Sequence, residues 1–231
     1  MGFIGESIRE GARLLATDGG VWRIVWVSLY VSVVATAAAV VVGVPLGSLI
    51  ALKQFRGKRL VIALVNTGMG LPPVVVGLVV SLLLFRNGPL GFLHWLYTVK
   101  GMICAQVIIA TPVVTGLTLA AVQSAERRLF LQVLALGASS VQALCVVLKE
   151  IRLSVLAAVI AGFGSVISEV GAVMMVGGNI KGQTRVLTTA MVLETNMGRF
   201  ETAIALGMIL LAMSFMVNLA LTFIQQRTTR G

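Results

Sequence analysis

Five long apolar runs, separated by short polar or charged segments, organise the chain: 22–52, 60–85, 102–122, 154–176 and 202–224. Each has the length a helix needs to cross a hydrocarbon core roughly 30 Å thick. They predict an all-α polytopic membrane protein, with five transmembrane helices in one domain over 1–231 and no Gly/Ser or Pro-rich linker dividing it. Ahead of them, Glu6, Arg9, Glu10 and Arg13 form a polar stripe at i, i+3, i+4, i+7, with Ile4, Ile8 and Leu15 on the other side. That pattern predicts an amphipathic helix lying on the membrane surface. The segment lacks the basic start and cleavage pattern of a signal peptide and is expected to be retained.

The runs are not uniform inside. Trp22, Trp26 and Tyr30 recur every fourth residue near the start of the first, where amphipathic rings favour the headgroup level and Arg23 can snorkel beside them. Ala35, Ala39, Gly43, Gly47 and Ala51 then form a row of small residues that lets another helix approach closely. The second run is interrupted by Asn66-Thr67-Gly68-Met69-Gly70-Leu71-Pro72-Pro73. Two prolines remove backbone donors, so a kink or break is expected there, with its freed polar groups held inside protein or against water. The third run carries Thr111, Pro112 and Thr115, the fourth Ser165, Ser168 and Glu169, and the fifth Ser214 and Asn218.

These polar or interrupted points all fall near the middle of their own runs. Two readings fit: a shared interior that passes a solute, or interhelical hydrogen bonds worth about 0.6 to 2 kcal/mol each. On the first, Asn66, Thr67, Gly68, Gly70, Thr111, Thr115, Ser165 and Ser168 line a path, and Pro72, Pro73, Pro112 and Gly171 shape or gate it. The fourth run is expected to be one continuous helix with Glu169 inside it. A bare carboxylate at membrane depth is costly. Glu169 therefore reads as a pairing or gating residue rather than a ligand for an anion, with Gly171 and Ala172 allowing close helix approach.

Between the third and fourth runs, 124–153 is polar and charged, with Glu126, Arg127, Arg128, Lys149, Glu150 and Arg152. In its middle stands Gly137-Ala138-Ser139-Ser140. Val141, Leu144, Cys145 and Leu148 follow at i, i+3, i+4, i+7, the spacing of one helical stripe, and Ser139 with Gln142 can open that helix with a capping box. A docking loop and an ordinary surface loop both fit this pattern.

Composition narrows the class. With 58% hydrophobic and 11% charged residues and a mean hydropathy of +1.02, the chain has more apolar side chain than a soluble core of 231 residues could bury. Of 18 Lys and Arg, ten lie on the side of the 124–153 segment and eight on the other. The basic turn Lys53 to Arg59 and the tail place 124–153 in the cytoplasm, the N-terminus outside and the C-terminus inside. The net charge of +10, from 18 Lys and Arg against 8 Asp and Glu, is explained by basic membrane-flanking segments, so nucleic acid is not an expected partner. Cys104 and Cys145 are expected to be reduced thiols, and His94, beside Trp95, an interface residue. No phosphate-cradling Gly-x-x-x-x-Gly-Lys-Ser/Thr loop, catalytic Ser/His/Asp set or metal-ligand spacing occurs, so no catalytic residue, metal or cofactor is expected.

Gly137-Ala138-Ser139 and its amphipathic helix, then Ile167-Ser168-Glu169-Val170-Gly171-Ala172 and Gly177-Gly178-Asn179-Ile180, resemble the permease subunits of ABC importers of the molybdate and tungstate class. The resemblance extends over most of the chain. Leu71-Pro72-Pro73-Val74-Val75-Val76-Gly77 and Arg185-Val186-Leu187-Thr188-Thr189-Ala190 look most like its tungstate subgroup. Where the wider family has a Glu-Ala-Ala triplet six residues before the glycine, this chain has Leu131-Gln132-Val133, and the usual Leu-Pro reads Leu148-Lys149.

The resemblance implies a type I importer permease fold in the plasma membrane of a prokaryote. It also implies a homodimer, two cytoplasmic ATP-binding-cassette subunits, an extracytoplasmic oxyanion-binding protein, and tungstate or molybdate as cargo. Gly137, Ala138, Ser139, Ser140, Val141, Leu144 and Leu148 would be the ATPase-docking residues. A channel or secondary transporter without an ATPase, a permease for molybdate or sulfate, and a structural membrane protein are the alternatives.

Overall fold

The computed structural model describes residues 19–125 and 127–229, so the predicted N-terminal amphipathic helix lies outside the described residues. Helix α1 (Gly19–Leu52) and α2 (Lys58–Met69) are followed by α3 (Pro73–Leu84), a 3-10 turn at Gly91–Leu93 and α4 (Val99–Ser124). Then come α5 (Arg127–Ala135), α6 (Ser140–Glu150), α7 (Arg152–Ile167), α8 (Gly171–Gly177), α9 (Leu187–Asn196) and α10 (Phe200–Thr229). Among the described residues, three helices (α1, α4 and the apolar part of α10) are long and apolar enough to cross a membrane. The pairs α2 + α3 and α7 + α8 raise the number of spans to as many as five.

Helices α1 and α4 form the central pair, running parallel along most of their length. The predicted small-residue row makes this possible. Ala35 and Ala39 are fully buried with Ala110 and Val114, and Gly43 and Gly47 sit directly against Val114, Thr115, Thr118 and Leu119. A Cβ at Gly47 would stand 2.5 Å from the Thr115 carbonyl oxygen and 3.0 Å from the Leu119 nitrogen, so backbone atoms would have to move. At Gly164 in α7 an added Cβ would meet nothing within 4 Å. Gly47→Leu should therefore destabilise the bundle by about 3 kcal/mol through overpacking, while Gly164→Ala is neutral or stabilising. Thermal unfolding of the two purified variants checks this, and equal shifts would refute the close-approach account.

The second span breaks where expected. Helices α2 and α3, 12 residues each, meet at 99° across Gly70–Pro72. Pro73 is the first residue of α3, where a missing N–H costs nothing. The turn satisfies itself, with Gly70 N–H donating to Thr67 O (3.1 Å) and Leu71 N–H to Gly68 O (3.4 Å). Pro112, by contrast, lies inside the continuous helix α4.

The fourth span corrects the expectation of one continuous helix: α7 stops at Ile167, α8 begins at Gly171, and their axes differ by 58°. The physical reason is Glu169. Its Oε1 accepts the Ala172 N–H at 3.0 Å, and its own carbonyl accepts the Thr188 hydroxyl at 2.9 Å. A carboxylate that would be costly in mid-helix instead caps the helix that follows.

The half-helices α3 and α8 pack tightly on each other. A Cβ on Gly77 would fall 2.6 Å from Ala172 Cα, and one on Gly171 2.5 Å from Val74 Cγ2. Val76, Val80, Leu84, Ala172 and Val176 share a core there, and Tyr97 N–H donates to Val176 O at 2.8 Å. Helix α9 tucks its first turn into the bundle: Leu187 N–H donates to Ser28 Oγ at 2.8 Å.

Candidate translocation cleft and docking segment

Helix breaks in the second and fourth spans face a common cleft of about 270 Å³. Gly68, Gly70, Pro72 and Pro73 form one wall, Ile108, Ile109 and Val113 of α4 another, and Ser165 with Glu169 the third. The break in α2 is keyed against α4, since a Cβ on Gly68 would meet Pro112 Cβ at 2.8 Å and one on Gly116 would meet Met69 Sδ at 2.5 Å. Among the described residues, neither Lys nor Arg lines the cleft. Its polar character comes from a carboxylate, a hydroxyl and the backbone of an interrupted helix.

The structure does not bring every predicted path residue to this cleft. Asn66 and Thr67 are exposed in the last turns of α2 and do not line it. Thr111 donates back to Val107 O at 2.6 Å, and Thr115 is buried beside Gly43 and Gly47 in the α1–α4 contact. Ser165 Oγ lies on the cleft and donates to Gly162 O at 2.8 Å. Ser168 turns away, lining a separate groove with Thr188, Met191 and Asn196. On α10, the Asn218 backbone carbonyl accepts the Thr222 hydroxyl, while among the described residues its side-chain Oδ1 is buried without a hydrogen-bond partner. The N–H groups of Gly70 and Leu71, which a freed helix end would offer to an anion, are engaged in the turn.

The segment between α4 and α7 is built as a helical hairpin. Gly137 adopts φ +90, a left-handed conformation that favours glycine, and an added Cβ would meet nothing within 4 Å. Ser139 Oγ accepts the Gln142 N–H at 3.3 Å and Gln142 Oε1 accepts the Ser139 N–H at 2.8 Å, which completes the predicted capping box. Helix α6 buries Val147 against Ala121, Val122 and Ile151, and its Ala143 is also fully buried. The predicted stripe is divided: Val141 is 70% exposed and Cys145 exposed, whereas Leu144 is half-buried and Leu148 packs half-buried against that contact. Leu136, 87% exposed just before Gly137, extends the apolar surface and was not anticipated. Helix α5 was also missed, although Leu129 with Val133 and Phe130 with Leu134 give a helical i, i+4 signal.

A multi-span helical bundle with two broken spans and an apolar hairpin outside the spans defines a membrane transport subunit. The chain belongs to the family described as the binding-protein-dependent transport system inner membrane component, matched over residues 43–230. It is thus a multi-pass inner-membrane permease of the ABC importer class, whose members work with an ATPase and a substrate-binding protein.

Over 227 residues it is 40% identical to the tungstate uptake system permease protein TupB of Peptoclostridium acidaminophilum, covering 98% of this chain and 100% of that one. It is 45% identical over 197 residues to a probable anion ABC transporter permease protein of Haloferax volcanii, covering 83% and 85% of the two chains. The fold matches an inward-facing structure of the MetNI methionine ABC transporter with TM-score 0.74 and 17% identity, covering 92% of this chain and 98% of that one. The type I importer permease fold is thereby established.

Proposed function

We propose that this chain is the membrane-spanning subunit of an ABC importer that moves a tetrahedral oxyanion, tungstate, into the cytoplasm. The observation that carries this reading is its similarity to a tungstate uptake permease along essentially the whole of both chains. Two copies would form the path, two cytoplasmic ATP-binding-cassette subunits would supply hydrolysis, and an extracytoplasmic protein would select the oxyanion. The basic turn Lys53 to Arg59 argues that the α5–α6 hairpin faces the cytoplasm, with the N-terminus outside and the C-terminus inside.

The cleft suits passage better than retention. A dianion there meets the Ser165 hydroxyl, the interrupted backbone around Gly70 and the Glu169 carboxylate, with no fixed positive charge among the described residues to hold it. Discrimination among tungstate, molybdate and sulfate then rests with the binding protein. Residues 137–148 act as the docking element, through the left-handed turn at Gly137 and the outward apolar stripe.

Two measurements test the reading. Cells lacking this permease should lose high-affinity tungstate uptake and regain it with the gene, and uptake that survives removal of the ATPase would mark an ATPase-independent channel instead. For the path, Gly70→Cys and Ser165→Cys in a background without Cys104 and Cys145 should react with a membrane-impermeant thiol reagent in one nucleotide state, with protection by tungstate. Gly70 is the better probe than Gly68, because an added Cβ there comes no nearer than 3.8 Å to its neighbours. Absence of labelling at both positions in every state would remove the cleft from the path.

A further inference from the structure

A second cavity, about 560 Å³, opens sideways at the end of the bundle where α1 and α4 both begin. Its rim carries Arg23 and Lys100 with Gln183, its side the rings of Trp26 and Tyr30, and its floor Val27 and Ile103. We propose that this groove binds an anionic phospholipid, with the phosphodiester headgroup between Arg23 and Lys100 and an acyl chain along Val27 and Ile103.

Charge argues for an anion. Among the described residues no acidic side chain lines the groove, and Arg23 and Lys100 have neither an ion pair nor a side-chain hydrogen bond. Two cations of the connection before the last helix are engaged instead, Arg185 with Asn179 and Arg199 with Glu194. Arg23 and Lys100 also stand in the opening turns of α1 and α4, where the helix dipole is positive and repels a cation. Two cations held at two parallel helix N-termini complement one negative group placed between them.

Shape argues for a lipid rather than a free ion. The lining below the cations is apolar, and Trp26 and Tyr30, 65% and 46% exposed, flank it as interfacial rings do. A small hydrated oxyanion would gain nothing from that floor, whereas an acyl chain fills it. Basic side chains at the membrane surface each favour anionic lipid by several-fold, so two should give a preference on the order of ten-fold or more over a zwitterionic lipid.

The test uses the full chain in lipid nanodiscs. Trp22→Phe with Trp95→Phe leaves Trp26 as the sole tryptophan. Phosphatidylglycerol with brominated acyl chains should quench Trp26 at roughly one tenth the mole fraction that brominated phosphatidylcholine requires. The two titrations should coincide in Arg23→Gln/Lys100→Gln, and in the unsubstituted groove at about 1 M salt, where the Debye length is about 3 Å. The salt experiment keeps the proposal testable should the double variant fail to fold. Coincident titrations at low salt in the unsubstituted groove would overturn the proposal. So would displacement of the brominated phosphatidylglycerol by millimolar tungstate, which would assign the groove to the free oxyanion.

Discussion

Gly137→Trp is expected to leave the permease folded in the membrane while uncoupling ATP hydrolysis from uptake by at least ten-fold. Two features of the hairpin set this expectation. Gly137 has φ +90, and a residue with a Cβ in that left-handed region carries roughly 1 to 2 kcal/mol of backbone strain. The site is also open, so an indole would cross no internal contact of this chain and would project from the turn between α5 and α6. Nearby, Leu136 and Val141 present exposed apolar side chains, the arrangement expected of a surface that takes a partner.

A bulky ring at the turn would hold that partner away, whereas Gly137→Ala adds strain without bulk and should cost only part of the coupling. Both variants can be assayed as reconstituted complexes, comparing ATP hydrolysed with oxyanion moved. Unchanged coupling and ATPase binding in Gly137→Trp would eliminate this hairpin as the docking element.

How far the chain could be read in advance depended on whether a local signal fixed the backbone. The break at 70–72 was legible because proline removes donors wherever it sits, and the α1–α4 contact because five small residues in register leave few alternatives. The capping box was legible for the same reason, since Ser139 and Gln142 at that spacing satisfy each other's backbone locally.

The break at 168–170 was not legible. Ser168-Glu169-Val170 contains neither glycine nor proline, and the sequence shows a carboxylate at depth without showing the N–H of Ala172 that it caps. Depth along a run likewise gave no rotation about the helix axis. Ser165 and Ser168 sit three residues apart near one level, yet Ser165 faces the cleft and Ser168, at the C-terminal end of α7, another groove. Thr115 was legible as polar at mid-depth, but its role against Gly43 and Gly47 needed the α1–α4 crossing.

Glu169 carries the last expectation, and the structure separates its two properties. As an acceptor, its Oε1 caps Ala172 and fixes the angle between α7 and α8, while α8 in turn is locked to α3 through Gly77 and Ala172. As a charge, it faces the cleft, where a dianion about 8 Å away would feel a repulsion of about 4 kcal/mol at an effective dielectric of 20. Glu169→Ala removes both properties. Loss of the cap should cost about 1 kcal/mol of the conformation seen here, and with the small residue left at the break, uptake should fall at least five-fold with altered basal ATPase activity.

Glu169→Gln keeps an oxygen acceptor for the Ala172 N–H and removes only the charge, so it should retain more uptake than Glu169→Ala. With Glu169 proposed to position the break, neither change should alter the ratio of tungstate to molybdate carried. Uptake, ATPase activity and the cargo ratio measured on the same vesicles decide among the roles. If glutamine is as damaging as alanine, the charge and not the cap is what matters, and a shifted cargo ratio in either variant would place the carboxylate in contact with the oxyanion.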